Sequence, residues 1–276
     1  MKNIVALTRA AINLATRFEE FPQYTIYKIS KSVKTAKRSY VLEECEHPEE
    51  YDKKFPDLTQ FFKSIKKEVV FIVCGASLES AASLRILEQL RDRKIYVIYV
   101  APERGYLNEV EKLNEKVVFH VLQEYARSGV FERMYIIDNT SVEKILQDQL
   151  TIEDYYLKMN DLICNSIHMI NVFENTPSIF QNCSPLADIS RIATFAVGSF
   201  NDEEKDFFSL DKVEEKDYYF AMSKDKIAEE GLLEKVRDHM KKNSEGTKIN
   251  YRIYSTEYAD DYVYSVLHTS KIQNRA

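Results

Sequence analysis

Only six of the 276 residues are glycine. Loops that bring backbone amides against a phosphate depend on glycine, so their usual glycine-rich form is excluded. Cysteine is equally uninformative as a framework: Cys45, Cys74, Cys164 and Cys183 show no CxxC or CxxH spacing. They fit free thiols in a reducing compartment better than a disulfide frame or a zinc site. The five histidines (His47, His120, His168, His239 and His268) lie far apart without ligand spacing, and no metal site is expected. A basic stripe is also missing. Lys and Arg number 38 against 44 Asp and Glu, the net charge is -6, and the two signs alternate. That argues against tracking a nucleic-acid backbone.

No apolar run approaches the roughly 20 residues that a membrane-spanning helix requires. The opening MKNIVALTRAAINLATRF is interrupted by Arg9 and is too short in its apolar part for a secretory signal. Its arginine-bearing, amphipathic pattern also resembles a transit peptide, but the expectation is a cytoplasmic protein. With 45% hydrophobic and 30% charged residues, the composition is that of a globular chain with a sizeable core.

What is present is a rhythm. Asn3 to Leu7 is a short apolar run, followed by a helical pattern over 10–18 and a strand over 24–29. The acidic, lysine-rich stretch 43–56 reads as an exposed loop, and 57–67 as a helix. Val69-Val70-Phe71-Ile72-Val73 is the continuous β-branched run of a strand buried on both faces. Helix 78–90, strand 94–100, helix 107–126 and strand 134–137 continue the alternation, which implies a mostly parallel sheet covered by helices. Then the rhythm changes. Residues 152–173 carry apolar residues at spacings of three and four and predict one long helix. Beyond a loop with Pro177 and Pro185 come a helix over 188–195, a strand over 217–222, a helix over 227–239, and strands over 250–255 and 262–269. The predicted architecture is α/β: a Rossmann-like parallel sheet with flanking helices over 1–150, a long central helix over 151–175, and a smaller α+β domain over 176–276.

Ligands of such sheets bind beyond the carboxyl ends of the strands. Asn13 lies there in TRAAIN, Gly75, Ala76 and Ser77 in FIVCGASLES, and Asn139 in MYIIDNTSVEKIL; Asn160 lies in the long helix, in YLKMNDLI. In that order and spacing these segments resemble the tubulin/FtsZ superfamily. IVALTRAAINLATRF is similar to its first strand, glycine turn and helix, and VVFIVCG to the strand leading into its signature phosphate loop. IIDN and MNDLI resemble the turn and the central helix whose asparagines read guanine. PLADISRI resembles the loop that places an acidic residue at the neighbouring subunit's nucleotide. The resemblance spans about residues 1–200. It implies GTP or GDP, with Mg2+, held by Asn13, Gly75, Ala76, Ser77, Asn139 and Asn160. It also implies Asp188 as the catalytic acid and self-association head to tail into filaments, with an adaptor or cargo protein as a further partner.

The departures point the other way. Thr8, Arg9, Ala10, Ala11 and Ile12 stand where the family has glycines, and GASLES replaces its signature loop. Ile12, Leu78 and Glu79 are expected to crowd a phosphate. No γ-phosphate loop is recognisable, and Pro185 takes one of two acidic positions. Each candidate also has a structural reading: Asn139 or Ser77 as a helix cap, Gly75 as a tight turn, Asp188 as a cap on the helix beside it. The expected function is a filament-forming tubulin/FtsZ-like protein with slow or absent GTP hydrolysis. Its rivals are a nucleotide-free scaffold of the same fold, and a Rossmann-like enzyme, for which the GxGxxG fingerprint is not evident.

Overall fold

In the computed structural model, which describes residues 2–146, 150–242 and 246–275, the N-terminal alternation becomes a parallel sheet. Strand β1 (Lys2–Leu7) leads into helix α1 (Arg9–Arg17), followed by β2 (Tyr24–Ser30), the short β3 (Ser39–Val41) and α2 (Pro48–Lys53). Then come β4 (Glu68–Cys74), α3 (Ser83–Gln89), β5 (Lys94–Ala101), α4 (Glu109–Arg127), β6 (Arg133–Asp138) and α5 (Asn139–Leu146). The order β3-β2-β1-β4-β5-β6 is parallel throughout.

These strands are apolar on both faces because both faces are covered. Val5, Leu7, Phe71, Val73, Val97 and Tyr99 pack with Ile86, Phe119 and Leu122 on the α2–α3–α4 side. Their neighbours Ile4, Ala6, Ile72, Cys74, Ile98 and Val100 pack with Ala11, Val142 and Met159 on the α1–α5–α6 side. The period-two alternation thus divides two cores rather than core from solvent.

The central helix α6 (Tyr155–Glu174) runs unbroken for 20 residues, about 30 Å. Beyond it lie β7 (Phe180–Asn182), β8 (Ile192–Ser199), β9 (Lys205–Asp206), β10 (Glu215–Ser223), α7 (Lys224–Ile227), α8 (Leu232–Lys242), β11 (Lys248–Thr256) and β12 (Tyr262–Thr269). The C-terminal strands extend the sheet in the order β8-β12-β10-β11-β7, joined to the first half where Met134 pairs with Ile192 and Tyr135 with Ala193. Helix α6 packs between the halves: Phe173 stacks on Tyr254 at 4.5 Å, and its carbonyl accepts the Tyr254 hydroxyl. A polar relay crosses the same join. Arg133 donates to Nδ1 of His268, whose Nε2 faces Asp217 at 3.1 Å. Burial pushes the His268 pKa down and keeps the ring neutral, so Nε2 carries the proton that Asp217 accepts.

Four sequence expectations are corrected. Residues 43–56 are not a simple exposed loop, because they contain α2, opened by Pro48 at its first turn and held down by the buried Tyr51. The stretch 57–67 is a series of turns, burying Leu58, Phe62 and Ile65 without a helix. Helix 227–239 is split at Gly231, whose φ is +77°, into α7 and α8. The helix expected over 188–195 is absent: Asp188 lies in a turn, and Ile192 begins β8. Its apolar run, IATFAV, is β-branched and aromatic, and the sheet claims it.

Candidate functional site

Strand register defines an edge. Leu7 is level with Val73, Cys74 with Val100, and Ala101 with Asp138. The residues that follow those strands, Thr8, Gly75, Pro102 and Asn139, therefore share the carboxyl edge of the parallel half. Helices α1 and α6 both descend from it, since Arg17 pairs with Asp161 and, further along, Phe21 stacks on His168. Asn13 and Asn160 each precede that first pair, so both belong to the upper turns of their helices. Four of the seven sequence candidates, Gly75, Ala76, Ser77 and Asn139, thus follow strands at this edge, and Asn13 and Asn160 lie on the two helices that run from it.

The glycine-poor first loop is built with a strained residue. Thr8 has φ +85°, the one positive φ outside glycine among the described residues. A β-branched residue there costs of order 1–3 kcal/mol. Its hydroxyl faces the Ala11 amide at 3.5 Å and caps α1. Arg9, the first residue of α1, is exposed and has no ion-pair partner among the described residues. Asn13 is exposed as well, with no side-chain hydrogen bond among them.

Gly75 is required by packing. A Cβ there would stand 1.9 Å from the Tyr99 hydroxyl. The turn it opens is tied from behind by Asn114, whose Nδ2 donates to the carbonyls of Gly75 (3.1 Å) and Ser77 (2.9 Å). Ser80 Oγ adds a bond to the Gly75 carbonyl. Ala76 and Ser77 are half-buried, and Ser77 makes no side-chain cap bond; its hydroxyl has no hydrogen-bond partner among the described residues.

The expected crowding does not occur. Ile12 is buried in the core beneath α1, and Leu78 packs on the opposite core. Glu79, only 2% exposed, turns toward the end of β2 and accepts from Ser30 Oγ and the Lys31 amide.

On the far side of the edge, Asp138 rather than Asn139 caps α5: its Oδ2 accepts from the Ser141 amide at 3.2 Å. The Asn139 amide group is thereby left without a hydrogen-bond partner among the described residues, and the same holds for half-buried Asn160. Asp188 lies elsewhere. It is exposed, in the turn before β8, whose first residue pairs with Met134 near the start of β6. From that level to Asn139 the strand rises roughly 17 Å. Asp188 thus lies toward the amino end of β6, and Asn139 follows its carboxyl end. Asp188 caps no helix.

No protein-family model matches the sequence, and no curated protein matches it. Solved structures do. A GTPγS-form protofilament of TubZ from Bacillus thuringiensis serovar israelensis superposes with a TM-score of 0.76 at 12% identity, covering 97% of this chain and 86% of that one. The fold is that of tubulin and FtsZ. An FtsZ dimer from M. jannaschii (TM-score 0.70, 11% identity, 98% and 88% coverage) and CetZ from Methanosaeta thermophila (0.70, 10%, 98% and 86%) share it. At these identities the tubulin/FtsZ likeness resides in backbone and topology. It extends to the C-terminal strands, beyond the first 200 residues that the sequence motifs suggested.

Four residues of this tubulin/FtsZ edge escaped the sequence reading: Tyr99, Asn114, Glu115 and Arg275. A signal existed for two of them. Asn114 and Glu115 occupy the inward face of α4 one turn before Val118 and Phe119, and both are buried. A polar pair at core positions needs partners. Arg275 carried no such signal.

Proposed function

We propose that this chain is a tubulin/FtsZ-like cytoskeletal protein that assembles head to tail, binds GTP at the carboxyl edge of its parallel strands, and turns it over slowly or not at all. The observation that carries this reading is polarity. The candidate nucleotide residues lie at or near the carboxyl edge of the parallel strands and the candidate acid, Asp188, toward the opposite edge, so in this reading Asp188 meets the nucleotide of a neighbouring copy. Such heterologous contacts make open polymers when their rotation does not close. Exposed apolar residues accompany both edges. Ile152, Tyr156 and Leu157 flank the start of α6, and Ile189 adjoins Asp188.

In this reading the uncommitted amides of Asn139 and Asn160 read guanine. Gly75, Ala76 and Ser77 face phosphate together with the amino end of α1, where Arg9 adds the positive charge that glycine amides supply elsewhere. Asn13 lies beside them. Among the described residues no group of three or more metal-ligating side chains is assembled. A Mg2+ ion would therefore be held chiefly by phosphate oxygens and water. Weak turnover follows from the strained, glycine-free first loop and from a single acid, with Pro185 three residues earlier in place of a second carboxylate.

A nucleotide-free scaffold of the same fold is the second reading, favoured by Thr8 at φ +85°. Titration with GTP and ATP, alongside sedimentation with and without GTP, separates the two. The 1–150, 151–175 and 176–276 division remains our working description of the units. An adaptor or cargo protein is the expected further partner of the polymer.

A further inference from the structure

We infer that Arg275 is a positioning residue for this nucleotide edge, one guanidinium that holds the phosphate-side turn and the base-side turn at once; the inference rests on the GTP reading above. The side chain is only 10% exposed. Nη1 donates to Glu115 Oε1 at 2.8 Å, and Nη2 donates to the Pro102 carbonyl at 2.6 Å and to Asp138 Oδ1 at 2.9 Å. Each carboxylate has a second hand on the site. Glu115 accepts the Tyr99 hydroxyl at 3.0 Å, and that hydroxyl is the group against which Gly75 packs. Asp138 uses its other oxygen to cap α5, whose first residue is Asn139.

The anchor is itself fixed. Arg104 donates to the Arg275 carbonyl at 2.7 Å and to Glu115 Oε2 at 3.1 Å, closing the loop after β5 onto the same cluster. Upstream, Gln273 is fully buried and pairs with Gln123 of α4: its amide donates to Gln123 Oε1 at 2.7 Å, and its carbonyl accepts Nε2 at 3.1 Å. The segment after β12 thus runs along α4 to the edge, where Arg275 reaches the two turns that would grip the ligand. A charge-assisted fork that divides its two terminal nitrogens between two carboxylates sets geometry more strictly than a lysine can. Because Arg275 reaches both turns through carboxylates, its loss should relax selectivity as well as affinity, which a residue serving stability alone would not do.

The test is binding of fluorescent GTP and ATP analogues to the whole chain, wild type against Arg275→Ala and Arg275→Lys, with melting followed in parallel. Arg275→Ala is expected to stay folded, lose about tenfold in GTP affinity, and bring the GTP-to-ATP ratio toward one, with Arg275→Lys between. Asn274→Ala, which removes a surface contact to His120, should bind as wild type does. Should Arg275→Ala not fold, Asp138→Asn, which weakens only the base-side arm, is expected to erode the GTP preference. Wild-type affinity and ratio in Arg275→Ala, or an unchanged ratio in Asp138→Asn, overturns the inference while the GTP reading stands. No GTP binding by wild type removes both.

Discussion

The hydroxyl of Tyr99 fills the space that any side chain at Gly75 would need, 1.9 Å from an ideal Cβ and backed by the ring carbon at 2.7 Å. Tyr99 cannot step aside, because it is fully buried and bonded to Glu115. Gly75→Ala should therefore destabilise the fold by about 1–3 kcal/mol through overpacking. Urea unfolding of the purified variant checks this, and a loss within experimental error would mean that the turn has room the geometry denies.

Thr8 makes the reverse case. At φ +85° a glycine is the better residue, and the cap it forfeits is a long one at 3.5 Å. Thr8→Gly should raise stability by about 1 kcal/mol, the released strain exceeding the few tenths lost when glycine replaces a capping threonine. A clear drop in the denaturation midpoint would contradict this.

Among the described residues Asn139 and Asn160 have no side-chain hydrogen-bond partners to lose. Alanine at either position should leave stability within about 0.5 kcal/mol of wild type. GTP binding should weaken by about 1–3 kcal/mol for each, the cost of unpaired hydrogen-bonding groups on the base. Calorimetric titration of both variants decides it: undiminished GTP affinity in either removes that residue from the site.

The acid limb of stability has opposing signs. Burial, with Glu204 and Glu203 nearby and Lys216 opposing, pushes the Asp206 carboxyl up to about 6 from an ordinary 3.8. A raised folded-state value means that the native protein binds the proton more tightly. The charged form thus costs stability above pH 6, and the cost fades as pH falls toward 4. Burial pushes His168 and His268 down, so the unfolded chain takes up their protons first and stability drops as pH falls below about 6.5. Asp206→Asn isolates the first effect. It should be more stable than wild type by about 2–3 kcal/mol at pH 7, with the advantage shrinking between pH 6 and pH 4. A constant difference across that range would place Asp206 in a more polar setting.

Much of the fold was readable because its strands are continuous β-branched runs and α6 keeps its apolar spacing over 20 residues. The failures have physical reasons. The run from Ile192 is short and apolar, a pattern that helix and buried strand share, and only the pairing with β6 and β12 settles it as a strand. The 57–67 stretch has helical spacing at Leu58, Phe62 and Ile65, yet its tertiary burial is satisfied by turns. At the site, the positions of Asn139, Asn160 and Gly75 followed from their places after strands or in the long helix. The direction in which Glu79 and Ile12 point did not, since it depends on Ser30 and on the core under α1. Arg275 was invisible for the same reason: its partners Glu115, Asp138 and Pro102 are distant in sequence.

GTP-linked, head-to-tail assembly with Asp188 acting on a neighbour is the central proposal for this chain. Sedimentation over a range of protein concentrations, with and without GTP and with phosphate release followed in the same samples, tests it most directly. Wild type should pellet above a critical concentration with GTP and disperse without it. Phosphate release should be slow or undetectable, and whatever turnover remains should be lost in Asp188→Ala while that variant still binds GTP. A chain that stays monomeric at every concentration with and without GTP, or brisk turnover that is independent of concentration and of Asp188, would contradict the account.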